Sequence, residues 1–264
     1  MLEIKNVTKI FNGGTVNEKV ALNNISLTLE DGDFVTVIVG NGAGKSTLLN
    51  AIAGTFPLDA GTVSVDGVNI TKHPEHKRAK FIGRVFQDPM TGTAADMWIE
   101  ENMALAKQRG KRRGLSWSIT DKDRAQFKEM LTRLDLGLET RLSTKVGLLS
   151  GGQRQAITLL MASMNNPKIL LLDEHTAALD PKTAEKVLTI TNEIVNEQKL
   201  TTLMITHNMK DAIAYGNRLI MMNAGQIILD IKGEEKKNLT VEKLLAAFAK
   251  AGSDGAANDR MLLI

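Results

Sequence analysis

A glycine-rich turn followed by Lys45, Ser46 and Thr47 has the residue types that bind the phosphate groups of a nucleotide. The turn comes after the apolar run Phe34–Val39, which predicts a strand, and before a predicted helix at Thr47–Ala53. Glycines let the backbone curl so that successive N–H groups face an anion, and the positive end of a helix adds to the attraction. We expect Lys45 to reach the β- and γ-phosphates and the Ser46 hydroxyl to bind Mg²⁺.

The first position of this phosphate loop is unusual. The pattern G-x-x-x-x-G-K-[ST] places a glycine at position 39, where this chain has Val39, and the glycine follows as Gly40. If the position needs a positive φ or a close approach to phosphate, a valine costs about 1–3 kcal/mol. The hypothesis is then that Val39 weakens nucleotide binding. If the position is extended, Val39 lengthens the strand and Gly40 supplies the flexibility, and both alternatives are open at this stage.

Two adjacent carboxylates, Asp173 and Glu174, follow the apolar run Ile169–Leu172, which is typical of a buried parallel strand. At a strand end, Asp173 can hold Mg²⁺ directly or through water. Glu174 points elsewhere and can polarise an attacking water as a general base. A lone Asp-Glu pair is commonly two solvated acids, but the phosphate loop in the same chain favours the catalytic interpretation.

A second helix start with the character of an anion site lies at Leu149–Gln155, with the sequence LSGGQRQ. Ser150 is a preferred residue at the N-terminus of a helix, and the two glycines leave the backbone N–H groups accessible. The alternative is simply a well-capped helix. One nucleotide cannot easily use both helix starts within a single subunit.

The composition excludes several classes of protein. The chain has 264 residues, 43% of them hydrophobic, and the absence of cysteine excludes disulfides, thiolate metal sites and a cysteine nucleophile. The net charge of +3 is close to balance, and the basic run Lys107–Arg113 predicts a solvated loop. A loop that faces a membrane-bound partner or lipid headgroups is the second interpretation. Neither a membrane span nor a signal peptide is predicted, which favours a cytoplasmic location.

These motifs lie on strands and helices that interleave along the chain. Alternating and apolar runs predict strands, and apolar residues three and four apart predict helices. A strand is predicted at Leu2–Lys9, a hairpin around Asp66-Gly67, and amphipathic helices at Ile99–Gln108 and Asp121–Leu134. The pattern therefore indicates an α/β fold with a helix-rich segment in the middle of the sequence.

With these motifs, the sequence resembles the nucleotide-binding subunit of an ABC (ATP-binding cassette) transporter over nearly its whole length. LSGGQRQ is the signature of that family, and GNGAGKST at 40–47 and ILLLDE at 169–174 match its Walker A and Walker B motifs. The resemblance implies a P-loop NTPase with a RecA-like core, an antiparallel β subdomain and an inserted α-helical subdomain. We assign 1–92 and 166–232 to the ATP-binding core with its β subdomain, 93–165 to the helical subdomain, and 233–264 to a C-terminal helix and tail.

Further roles follow from the resemblance. Gln87 in VFQDP matches the glutamine that would link Mg²⁺ and water to the helical subdomain, and His207 in ITHN matches a histidine that would contact the γ-phosphate. Phe11 lies where the family places an adenine-stacking ring, although it could equally be a core aromatic. His175 departs from the residue type common after the glutamate, and no histidine has the spacing to form a metal site with it.

The expected site contains three sets of residues. Catalytic roles are assigned to Glu174, His207 and Gln87. Mg²⁺ ligation is assigned to Ser46, Gln87 and Asp173. Contacts with ATP are assigned to Phe11, Asn41, Gly42, Ala43, Gly44, Lys45, Ser46, Thr47, Ser150, Gly151, Gly152 and Gln153.

The resemblance also implies partners and a mechanism. Two copies would form a head-to-tail dimer that shares two ATP molecules, and closure and reopening of the dimer would drive an integral-membrane permease. The chain would lie at the cytoplasmic face of the membrane, work with an extracytoplasmic solute-binding protein and bind no nucleic acid. The segments DEHTAALDP and LTVEKLLAAF resemble those of importer ATPases, some of which are linked to the transport of aromatic amino acids. The alternatives are a non-transport ABC ATPase and a regulator that binds ATP without hydrolysing it; the presence of Glu174 and His207 argues against the regulator.

Overall fold

The computed structural model describes residues 1–39, 45–111 and 119–252, and it places the backbone but not the side chains of residues 45 and 249–252. Strands and helices interleave in this part of the chain, as expected for an α/β protein. The strands are β1 (Leu2–Phe11), β2 (Lys19–Leu29), β3 (Phe34–Val39), β4 (Ala60–Val65), β5 (Val68–Asn69), β6 (Ile82–Val85), β7 (Ile169–Asp173), β8 (Thr202–Thr206), β9 (Arg218–Asn223) and β10 (Gln226–Lys232). The helices are α1 (Lys45–Ala53), α2 (Glu75–Arg78), α3 (Ile99–Lys107), α4 (Asp121–Thr132), α5 (Gly151–Ser163), α6 (Pro181–Gln198), α7 (Met209–Ala214), α8 (Glu234–Lys237) and α9 (Val241–Gly252).

The chain divides into two compact units. The first contains Met1–Arg78 and the chain from Thr201 onward, and the second contains Ala79–Leu200. Helices α3, α4 and α5, which carry the helix-rich segment predicted from the sequence, lie in the second unit together with β6 and β7. None of the helices in the described ranges combines the length and the apolar character needed to cross a membrane.

An antiparallel sheet with the strand order β2-β1-β4-β5 lies in the first unit. Leu2 of β1 stands opposite both Leu29 and Val65, and all three side chains are buried. The predicted hairpin joins β4 to β5 through Asp66 and Gly67, whose φ angles are 48° and 75°. Asp and Gly at successive positive φ angles are typical of the tight turn that matches the twist of a hairpin.

A second group of strands in the first unit is built around β3. This strand pairs in parallel with β8 on one side and β9 on the other, and β10 joins β9 in antiparallel orientation. All residues of β3 and β8 are buried, which explains their continuous apolar or β-branched sequences. A hydrophobic cluster with α7 and α9 covers these strands; its buried members are Ile38, Ala212, Leu219, Met221 and Leu244.

The far end of α1 is held by a buried arginine. Arg78 is 2% exposed, and its guanidinium group donates hydrogen bonds to the carbonyls of Ala51 and Ile52 at 2.8 and 2.7 Å. A cation at the C-terminus of a helix complements its dipole and satisfies its last carbonyls. The helix is followed by Gly54, which has a φ of 80° and where a Cβ would lie 2.4 Å from Nε of Arg78. Glycine is therefore required there for both conformation and space.

In the second unit, β6 and β7 pair in parallel, with Val85 opposite Leu172. Their carboxyl ends lie at the same edge of the sheet, so Asp173, the last residue of β7, and the segment with Gln87, which follows β6, both lie at that edge. Helix α5 packs on β6, since a Cβ on Gly83 would lie 2.5 Å from the carbonyl oxygen of Ala162. Nearly every residue of α5 is buried, which is why its sequence is apolar around most of its circumference.

Candidate active site

The start of α1 is the predicted phosphate-binding feature of the first unit. The helix begins at Lys45, so Ser46 and Thr47 lie in its first turn, where backbone N–H groups have no acceptor within the helix. The Ser46 side chain is exposed, and the first turn contains no acidic residue that would repel an anion. The predicted contacts of Asn41, Gly42, Ala43 and Gly44 lie outside the described residues, as does the side chain of Lys45.

Val39 adopts the second of the two conformations considered from the sequence. It is the last residue of β3, it is 3% exposed, and it stands opposite Met222 of β9. Its φ is not among the positive values found in the described chain. The steric penalty for a β-branched residue at positive φ therefore does not arise at this position.

His207 lies at the same edge of the first unit as the end of β3. It follows Thr206, the last residue of β8, which stands opposite Ile38 of the parallel strand β3. The next residue, Asn208, caps α7 by accepting the N–H groups of Lys210 and Asp211. The strand end and the helix start hold the backbone on both sides, and the His207 side chain is exposed.

Phe11 packs against a second aromatic ring. The rings of Phe11 and Phe56 meet edge to face with their centroids 5.5 Å apart, and the Lys9 ammonium group lies 5.5 Å from each. Lys9 also pairs with Asp59, whose pKa is lowered first by the N–H of Ile10 and then by Lys9. Phe11 is half-buried, so this packing is compatible with either of the roles considered for it.

The end of β7 places Asp173 in a buried, charged environment. Asp173 is 7% exposed, and Nη2 of Arg84 lies 3.5 Å from its Oδ2. The Arg84 guanidinium also lies over the ring of Phe86, 4.5 Å from its centroid. Asp173 is thus a carboxylate held close to a cation at the edge where Gln87 leaves β6.

Glu174 has an unusual backbone conformation that the sequence analysis did not foresee. Its φ is 42°, in the left-handed region, and it is half-buried. Its carbonyl accepts the N–H of Ala177 at 2.9 Å, which closes a turn directly after the strand. A non-glycine residue in this region costs of order 1 kcal/mol and is often found at functional sites. No local sequence signal marks the position, because glutamate has no preference for this conformation.

Gln87 is exposed just beyond the end of β6, and a buried glutamine supports the chain next to it. Nε2 of Gln155, in the signature helix α5, donates to the carbonyl of Phe86 at 3.1 Å. Sequence reasoning missed this contribution of Gln155. The available signal was a polar residue directly before the apolar stretch of a buried helix, where burial demands a hydrogen-bond partner.

Ser150 caps α5. Its hydroxyl accepts the N–H of Gln153 at 3.3 Å, and Oε1 of Gln153 accepts the N–H of Ser150 at 3.2 Å. Gly152 is required for packing, since a Cβ there would lie 2.0 Å from Cγ2 of Thr183. Gly151 is exposed, so the first turn of α5 remains open to a ligand from outside the chain. The structure therefore contains the well-capped helix and the accessible helix start together.

A second residue that the sequence analysis missed, Arg154, shapes the loop before this helix. It is buried, and its guanidinium group donates to the carbonyls of Val146, Gly147 and Leu149. Leu148, between these residues, is 74% exposed. Hydrogen bonds from Arg154 thus hold the buried side of this loop, and the apolar side chain of Leu148 is exposed two residues before Ser150.

A cavity of about 340 Å³ lies within the second unit. It is bordered by Arg84 and Phe86 at the end of β6, by Asn102 and Arg109 of the α3 region, and by Thr158 of α5. Burial lowers the pKa of Arg109, whose Nη2 donates to the carbonyl of Ala162. The cavity combines two guanidinium groups with apolar walls.

The predicted Mg²⁺ ligands have the chemistry that this ion requires. Within the described residues, no group of three or more His, Cys, Asp or Glu side chains could hold a metal ion by itself. Mg²⁺ is usually held by one or two carboxylates and the phosphates of the substrate. Ser46, Gln87 and Asp173 offer a hydroxyl, an amide and a carboxylate oxygen, each of which is a hard ligand of the kind that Mg²⁺ prefers.

Comparisons with known proteins agree on one family. A family model described as "ABC transporter" matches residues 22–177, more than half of the chain. Over 251 residues, the chain is 46% identical to the tyrosine transport ATP-binding protein of Clostridioides difficile (strain R20291), covering 95% of this chain and 100% of that protein. Over 233 residues, it is 34% identical to the methionine import ATP-binding protein MetN of Corynebacterium efficiens, covering 86% and 61%. A dimeric ATP-binding cassette solved in a post-hydrolysis state with ADP and Pi matches with a TM-score of 0.75 and 31% identity, over 88% of this chain and 98% of that chain.

Proposed function

The chain belongs to the ABC transporter family as an ATP-binding subunit that hydrolyses ATP to power transport through a membrane permease, and we propose that two copies share each ATP in a head-to-tail dimer. The α/β fold of a P-loop NTPase and the dimeric state follow from the same family relationship. The non-transport ATPase and the non-hydrolysing regulator considered from the sequence are set aside.

The observation that best supports an ATP site shared by two copies is the accessible N-terminus of α5. Ser150 and Gly151 present a capped helix N-terminus with no acidic residue in its first turn, beside the exposed side chain of Leu148. The start of α1 is a second such feature in the same chain. An ATP bound between two copies would contact both helix starts. The phosphate loop and Ser46 of one chain would lie on one side of it, and Ser150, Gly151 and Gly152 of the other chain would lie on the opposite side.

Hydrolysis is assigned to groups at strand ends. Glu174 orients and deprotonates the attacking water, and His207 contacts the γ-phosphate and that water. Asp173, Ser46 and Gln87 would hold Mg²⁺, which would neutralise charge on the phosphates. Phosphoryl transfer depends mostly on positioning and charge stabilisation, which suits residues held at the ends of buried strands.

The permease docks on the second unit, around the cavity bordered by Arg84 and Arg109. The exposed apolar side chains of Met90, Trp98 and Leu105 lie in this unit and support the proposal, because such side chains favour contact with a partner. Docking on a permease places the chain at the cytoplasmic face of the membrane as a peripheral subunit. A solute-binding protein would then deliver the solute from the other side.

For the solute, we infer an aromatic amino acid. The support is the 46% identical relative whose name specifies tyrosine transport. The test is to co-express the chain with a candidate permease and a candidate solute-binding protein from the same organism, purify the complex and reconstitute it in vesicles. ATP-dependent uptake of labelled tyrosine, well above that of labelled methionine, is expected. Uptake of methionine alone would overturn the inferred solute, and failure to co-purify with the permease would overturn the proposed assembly.

A further inference from the structure

A buried histidine adjoins the proposed general base. His175 follows Glu174, is 2% exposed, and places its Nε2 3.0 Å from Oγ1 of Thr191 in the middle of α6. The Thr191 hydroxyl donates its proton to the carbonyl of Val187 at 2.8 Å. Because that proton is used, the Thr191 oxygen acts as an acceptor, and Nε2–H of His175 is the donor.

Burial at this position disfavours a charged ring. Filling this space with an apolar side chain would avoid the cost of burying a polar ring. The imidazole is therefore poorly explained by core packing alone, and its directional bond to Thr191 is the feature that an apolar side chain could not supply.

The residue next to this ring is the one that needs support. The φ of Glu174 is 42°, a left-handed value that glycine adopts readily but that is strained for glutamate. On its other side, the turn that it begins runs to Asp180, whose carboxylate accepts the N–H of Thr183 and caps α6. The segment from Glu174 to Asp180 is thus attached twice to the same helix, at its first turn by Asp180 and in its middle by His175.

We propose that His175 is a positioning residue for ATP hydrolysis, whose hydrogen bond to Thr191 holds the backbone of Glu174 and so aims its carboxylate at the attacking water. This inference rests on the proposed role of Glu174 as the general base. In this role His175, which is 2% exposed, acts from inside the fold and would contact neither the nucleotide nor the attacking water. Its effect is confined to the hydrolytic step, because Glu174 is assigned to activation of water and not to the binding of ATP.

The experiment measures steady-state ATP hydrolysis and ATP affinity for the full-length chain and its variants. His175→Leu and Thr191→Val each remove one partner of the bond and are expected to lower kcat by about 10- to 100-fold with the Kd for ATP unchanged. The double variant is expected to be no slower than either single variant, because both remove the same interaction. His175→Gln, whose amide N–H₂ can replace the Nε2 donor, is expected to recover most of the activity.

Thr189→Val is the matched control. Thr189 lies on the same helix and donates to the carbonyl of Glu185 at 2.9 Å, but it is exposed, and the hydrogen-bond partner of His175 is Thr191. It should leave kcat unchanged. Rates are expressed per ATP-binding molecule, so that a loss of folded protein does not count as a loss of kcat.

Wild-type kcat in Thr191→Val would overturn the proposal, as would equal losses in His175→Gln and His175→Leu. If His175→Leu does not fold, Thr191→Val and His175→Gln decide the question. Glu174→Gln, measured in parallel, distinguishes a failure of the assigned base from a failure of the role proposed for His175. Hydrolysis that survives Glu174→Gln refutes the assigned base, whereas hydrolysis lost there but retained in Thr191→Val refutes only the role of His175.

Discussion

The guanidinium group of Arg84 lies 3.5 Å from the carboxylate of Asp173, and the side chains are 12% and 10% exposed. This pair joins the carboxyl ends of β6 and β7, the two strands that lead to Gln87 and Glu174. Arg84 also borders the cavity of the second unit. A residue on the proposed permease side is therefore in direct contact with the proposed Mg²⁺ ligand.

Removing Arg84 should destabilise the protein. Arg84→Met takes a cation away from a buried carboxylate, and the free energy of unfolding is expected to fall by about 3 kcal/mol in urea denaturation without nucleotide. Adding Asp173→Asn should recover part of the loss. The control is Arg133→Met, since Arg133 pairs with Glu197 where both side chains are more than half exposed, and its loss should be below about 1 kcal/mol. Equal losses at the two sites would contradict the buried-pair explanation.

Glu174→Gln should separate ATP binding from hydrolysis. Glutamine keeps the size of the side chain but cannot accept a proton, so kcat is expected to fall by about 10²- to 10⁴-fold while ATP still binds. The variant should accumulate as an ATP-bound dimer in size-exclusion chromatography. Glu185→Gln, an exposed change on α6, is the control. Unaltered turnover in Glu174→Gln would reject Glu174 as the base.

A mixture of two inactive variants tests whether ATP sites are shared. Lys45→Ala removes the amine proposed to bind phosphate, and Ser150→Asp keeps a cap for α5 but puts a negative charge where phosphate is proposed to bind. Each variant alone should lose hydrolysis, whereas the mixture should regain activity because a mixed dimer has one intact site. Melting temperatures check that Ser150→Asp still folds. If no activity returns although mixed dimers form, the shared site is wrong.

Val39→Gly tests whether the valine impairs the phosphate loop. Since Val39 is a buried, extended residue of β3, the glycine variant should bind ATP with unchanged affinity, measured by titration calorimetry. It should lose about 2–4 kcal/mol of unfolding free energy, because a buried side chain is removed and the unfolded chain gains freedom. Tighter ATP binding by Val39→Gly would instead show that the valine is a handicap.

Features that depend on neighbouring residues could be predicted from the sequence. The apolar run of β3, the helix beginning at the Lys45 motif and the hairpin at Asp66 and Gly67 were all confirmed. The cap at Ser150 was also foreseen, because capping needs only the residues of one helical turn. The two alternatives for Val39 could not be separated, because a pattern of residue types does not determine the φ angle of one of them.

The sequence by itself determined the family, the nucleotide chemistry and the position of each motif at the end of a strand or the start of a helix. Only the tertiary structure decided what supports those motifs. Arg84 meets Asp173, and His175 meets Thr191, across stretches of chain with no local signal for either contact. The left-handed backbone conformation of Glu174 likewise has no local sequence signal. Such features arise when distant segments pack together and buried polar groups must find partners, a requirement that residue order alone does not resolve.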